Sequence, residues 1–90
     1  MRTQHTREYV TVNSDFDQEG TLYPRKILMS DGRSFVIDSV KHHHRLTHEN
    51  FSGDCFTIVI KGKDSHLFFE RSNLSEYMGR WFVALKGNAS

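Results

Sequence analysis

The stretch 24–41, PRKILMSDGRSFVIDSVK, constrains the fold more than any other part of the 90-residue chain. Ile27 and Met29 alternate on one side of Ser30-Asp31-Gly32, and Phe35 and Ile37 alternate on the other. Asp-Gly accepts the positive φ that tight hairpin turns demand, so the pattern predicts strands over 25–29 and from 33 onward, joined by that turn. Pro24, the sole proline, fits the first residue of the earlier strand, where a missing N–H costs least. Strict alternation fails after Ile37, because Val40 lies an odd number of positions away. A bulge or sharp bend at Asp38-Ser39 would return Val40 to the inner face and coil the sheet.

The rest of the chain reads as further short strands around this hairpin. EYVTVNS at 8–14 is rich in β-branched residues and predicts a first strand, preceded by a frayed polar segment over 1–7. A loop or wide turn over 15–23 follows, pinned by Phe16 or Leu22. KHHHRL at 41–46 can prolong the third strand, and the polar residues 47–54 predict a loop. CFTIVIK at 55–61 is apolar on both faces, as a central strand would be. Gly62-Lys63-Asp64 then turns the chain into SHLFFE at 65–70. NLSEYMG at 73–79 fits one helical or 3₁₀ turn, capped by Asn73 or Ser75 and ended by Gly79. WFVAL at 81–85 is a sixth strand, and 86–90 a free tail.

The expectation is therefore all-β: one domain over 8–85, an SH3-like or otherwise partly open barrel of about six short antiparallel strands. Its expected core is Ile27, Phe35, Ile37, Val40, Phe56, Ile58, Ile60, Leu67, Phe69 and Val83. Eleven aromatic residues supply large buried surfaces for so short a chain.

Asp31-Gly32-Arg33 with Phe35-Val36-Ile37-Asp38, then Cys55-Phe56-Thr57, Gly62, Leu67-Phe68-Phe69-Glu70 and Arg80-Trp81-Phe82-Val83, resembles the pattern of a group of small bacterial proteins, mostly from Firmicutes. The resemblance covers about residues 22–84 and rests on turn and core positions. It implies a small β-domain in an intracellular bacterial setting, and it brings no activity and no catalytic residues.

Charge and cysteine content narrow the function classes. The formal net charge is +1, which argues against a dedicated nucleic-acid or membrane-surface protein. One cysteine, Cys55, excludes an internal disulfide and fits a reducing compartment. No apolar run approaches the ~20 residues of a membrane helix, and no apolar leader opens the chain. The expectation is a cytoplasmic protein.

The uneven feature is the segment 25–48, which has a net charge of +3 and holds four of the six histidines. If the second and third strands pair, Arg25, Lys26, Arg33, Lys41 and Arg45 can share a basic face of the kind that holds single-stranded nucleic acid. His42 and His44 fall on one side of an extended strand and His43 on the other. Two such imidazoles are half of a zinc site, with His48, His66, Asp54 or Cys55 as the third ligand, although a structural site would ordinarily show a second ligand pair. The bland alternatives are a mixed charged surface and a solvated strand end.

Cys55 reads as a small packed residue, and Asp38 as a carboxylate that hydrogen-bonds at the bulge or pairs with a cation such as Arg33. No Gly-x-Ser-x-Gly elbow and no glycine-rich phosphate loop occurs. Trp81 and Phe82 face opposite ways, so one of them, with Phe68 or Tyr77, can form an exposed contact patch. These readings favour a non-enzymatic binding or accessory module that contacts another protein or a second copy of itself. Nucleic-acid binding is the alternative. No cofactor and no membrane contact is implied.

Overall fold

The computed structural model describes residues 5–48, 51–72 and 78–86. They form one antiparallel sheet of seven strands: β1 (His5–Phe16), β2 (Leu22–Leu28), β3 (Ser34–Val36), β4 (Ser39–His48), β5 (Phe51–Ile60), β6 (Lys63–Arg71) and β7 (Gly79–Lys86). The spatial order is β3-β2-β1-β7-β6-β5-β4, and the sheet curls into a half-barrel. The all-β expectation holds, with seven strands in place of six. β1 begins at His5, inside the segment expected to fray. The helical turn expected over 73–79 lies mostly outside the described residues, and Gly79 already belongs to β7.

The Asp31-Gly32 hairpin forms as its residues demand. Met29 N–H donates to the Arg33 carbonyl (2.8 Å), Gly32 N–H donates to the Met29 carbonyl (3.1 Å), and Gly32 has φ +95°. A three-residue loop with glycine in the left-handed position is one of the standard hairpin closures. The β5–β6 hairpin turns one residue earlier than the Gly62-Lys63-Asp64 pattern suggests. Its loop is Lys61-Gly62, both at positive φ, with Ile60 opposite Lys63. Left-handed Lys61 is strained, and its N–H donates to the Asp38 carboxylate (2.9 Å), which offsets that cost.

The break in alternation after Ile37 has a different cause from the expected bulge. β3 ends at Val36 and β4 starts at Ser39, so Ile37 and Asp38 carry the chain from one end of the strand order to the other. Ile37 N–H donates to the Arg25 carbonyl and Asp38 N–H to the Val59 carbonyl, tying the crossing to β2 and β5. The bulge comes later, between Val40 and His42, and leaves Val40 packed against the core. Pro24 is also corrected: it is the third residue of β2, beside an irregularity at Asn13/Ser14. An irregularity of this kind is where a ladder tolerates a residue that lacks an N–H.

The 47–54 loop does not exist as such, because β4 runs to His48 and β5 begins at Phe51. The extra length of β5 builds a second apolar layer. Ile27, Ile37, Phe56, Ile58 and Leu67 form the concave core, with Val40, Ile60, Phe69, Trp81 and Val83 packed against it. On the opposite face Phe51, Cys55 and Phe82 are also buried. Phe82 stacks on Phe68 (5.0 Å) and meets Phe51 edge-on (5.8 Å), while the Arg7 guanidinium lies 4.7 Å over the Phe82 ring. Phe35, expected in the core, is half-buried at the mouth of the concave face.

Candidate functional site

Each basic residue singled out by its position in the sequence has a separate place in the sheet. Arg25 pairs with Asp15 (2.7 Å), Arg33 with Asp31 (2.7 Å) and Lys41 with Asp64 (3.1 Å). Lys26 is half-buried on β2, opposite Asn13 and Val36. Arg45 is exposed on β4, opposite Asp54. β2 and β3 do pair, yet the KHHHR run belongs to β4, which pairs with β5 and is separated from β2 by four strands in the sheet order. Three of the five are thus already matched by carboxylates.

Trp81 is half-buried, 5.4 Å from the Phe56 ring and 5.0 Å from the Phe69 ring. Phe82 is 4% exposed. Neither is the free aromatic that alternation in a one-sided sheet would leave outside, because here both faces are covered. Tyr77 lies outside the described residues.

The histidines divide as the strand period requires. His42 opposes Thr57 and His44 opposes Cys55, both on the outer face. His43 turns inward, stacks flat on Phe56 (4.2 Å) and shares a hydrogen bond with Asp54 through Nε2 (3.0 Å). Asp54 is buried and also pairs with Arg71 through its other oxygen (3.0 Å). His66 reaches Thr57 Oγ1 at 3.5 Å. The His48 side chain lies outside the described residues. Among the described residues no group of three or more His, Cys, Asp or Glu side chains is placed to hold a metal ion. Burial pushes the Cys55 thiol up from its ordinary value, the reverse of what a nucleophile needs.

A second polar cluster covers the outer aromatic layer. The Glu70 carboxylate accepts from Arg7 (2.8 Å), from the Tyr9 hydroxyl (3.0 Å) and from Arg80 (3.3 Å), and the Arg80 guanidinium lies 4.0 Å over the Tyr9 ring. It joins β1, β6 and β7 across the centre of the sheet.

One cleft follows from a split in the sheet that residue patterning did not reveal. β6 and β7 pair from Arg71–Gly79 to Phe68–Phe82, and there the ladder stops although both strands continue. Beyond that point β6 follows β5, and β7 follows β1. A cleft of about 690 Å³ lies at the split. Ile27, Met29 and Phe35 of the β2–β3 hairpin and Ile60 of β5 supply its apolar wall. Ser65, His66 and Phe68 of β6 flank one side, and Val83 and Ala84 of β7 the other. Lys63 and the Lys41–Asp64 pair sit at the rim.

Ser65 and His66 are successive strand residues, so they point to opposite faces and cannot act as nucleophile and base. Asp64 is drawn to Lys41.

No family model, curated protein or solved structure matches the chain. Among the described residues no helix is long and apolar enough to cross a membrane.

Proposed function

We propose that the chain is a non-enzymatic binding module whose partner is another protein, docked in the cleft beside the β6–β7 split. The observation that carries this reading is the cleft wall: Met29, Phe35, Ile60 and Val83 are half-buried apolar residues at an open mouth, above fully buried Ile27. Apolar surface of this kind gains about 25 cal/mol for each Å² it loses to a partner. Concave apolar sites with a few polar groups are where binding concentrates. The alternative, nucleic-acid binding, has less support because three of the five candidate cations already sit on carboxylates. The resemblance noted above adds a bacterial, cytoplasmic setting to the proposal.

Affinity capture from a lysate of the encoding organism, with and without nuclease, tests this reading when wild type is compared with Ala84→Glu. Ala84 is exposed on the cleft wall, so the substitution adds a charge without disturbing the core. A protein should be retained by wild type after nuclease treatment, should survive a rise from about 50 to 200 mM salt, and should be lost with Ala84→Glu. Recovery of nucleic acid, or equal retention by both forms, would overturn the reading.

A further inference from the structure

We infer that the cleft takes its partner as an extended strand inserted between β6 and β7, with an acidic residue of that strand set against Lys63; this rests on the cleft being a protein-docking site. The two flanking segments stay extended although they do not pair with each other. β6 is held on its far side by β5, from Ile60–Lys63 to Phe56–Leu67. β7 is held on its far side by β1, from Glu8–Val83 to His5–Lys86. Continuing the β6–β7 register would set Leu67 against Val83 and His66 against Ala84, yet these pairs are not made. A strand directs its backbone N–H and C=O groups alternately to its two sides, so each segment turns an unused row toward the gap.

The gap is matched by a segment of about four or five residues at ~3.3 Å per residue. β6 and β7 are antiparallel, so an inserted strand runs parallel to one and antiparallel to the other. Alternate side chains of the insert descend toward Met29, Phe35 and Ile60, and the others face outward. Charge selects further. Asp64 is matched by Lys41, whereas Lys63 is exposed and has no ion-pair partner among the described residues. The rim thus presents one unmatched positive charge, which suits an Asp or Glu flanking the apolar positions. A loop or chain terminus can enter such a gap, whereas a folded domain face cannot.

Random hexapeptides displayed on phage and selected against the full chain are the probe. Selected peptides are then synthesised with ordinary amides and with alternate amides N-methylated, in both phases. The expected binders carry apolar residues at i and i+2 beside an acid, and weaken about tenfold against Lys63→Glu. They lose binding in one N-methylated phase or both, and amide exchange of residues 63–67 and 83–84 slows in their complexes. N-methylated peptides that bind as tightly as the parents would overturn strand insertion while leaving protein docking in the cleft intact. Binders indifferent to Ala84→Glu would remove both readings, and failure to enrich any peptide would overturn the insertion proposal.

Discussion

Replacing Gly53 by alanine tests how closely β5 and β6 are coiled together. Gly53 lies opposite Glu70 on β6 and Leu46 on β4. A Cβ at this position would be built directly onto the Phe69 carbonyl oxygen, with the Phe51 Cζ atom 2.9 Å away. The carbonyl is backbone in the neighbouring strand and cannot swing aside. Relief requires β5 and β6 to part locally, at the loss of about two ladder bonds worth ~1 kcal/mol each. It also tilts the buried Phe51 ring off its rotamer, at roughly 0.5–1.5 kcal/mol. Stiffening the unfolded chain returns roughly 0.4–1 kcal/mol.

The expected net loss is roughly 1.5–3 kcal/mol, and 2 kcal/mol would lower the melting temperature of a domain this size by roughly 8–16 °C. Denaturant unfolding followed by the fluorescence of Trp81, the only tryptophan, reads it directly. Gly62→Ala is the control, because Gly62 has φ +79° with open space around it and loses only ~1 kcal/mol through its backbone conformation. A Gly53→Ala protein as stable as wild type, or less damaged than Gly62→Ala, would refute the close-approach argument.

Three further outcomes are expected. Asp54→Ala should cost about 1–2 kcal/mol by thermal or denaturant unfolding, less than an enclosed ion pair, because His43 and Arg71 are each more than 40% exposed and can rehydrate; a loss above ~4 kcal/mol would show an enclosed pair instead. The Asp31 carboxyl is held below its ordinary value by the Arg33 backbone N–H and then by the Arg33 side chain. Its contribution is therefore present above its unfolded value near pH 4 and is lost as pH falls through the folded value. Asp31→Asn should flatten the acid limb of a stability–pH profile, and an unchanged limb would count against the pair. Replacing His42, His44 and Arg45 together by valine should make the chain associate with rising concentration in light scattering, whereas a protein that stays monomeric would show that β4 needs no protection.

The hairpin, the two-sided apolar strand and most core positions were legible because each rests on local chemistry. Asp31-Gly32 can make only a few turns, and alternation at Ile27, Ile37, Ile58 and Leu67 fixes a face. Phe51 and Phe82 escaped because their burial depends on the outer face being covered by Arg7, Tyr9 and Phe68, which come from other strands. The crossing at Ile37-Asp38 looked like a bulge because a strand boundary and an inserted residue break alternation alike; only the pairing of β4 with β5 tells them apart. The split was invisible for a similar reason. Ser65 to Leu67 and Val83 to Ala84 are ordinary strand residues, and what makes a site of them is which neighbour each follows.

The histidine run gains a physical meaning from its place in the sheet. Among the described residues β4 ends the strand order and pairs on one side only, along ten residues from Ser39 to His48. A free edge of that length is a template for joining two sheets, and charged or strongly solvated side chains are the usual safeguard. Lys41, His42, His43, His44 and Arg45 are all exposed, although His43 also spends one ring face on Phe56 and one nitrogen on Asp54. The cluster that looked most like a ligand set thus serves β4 in two ways: inward-facing His43 anchors it to the core, and its neighbours keep other strands away. The β6–β7 split differs in kind. Its edges face each other across an apolar floor, Lys63 at the rim has no ion-pair partner among the described residues, and the proposed incoming strand would pair with both edges.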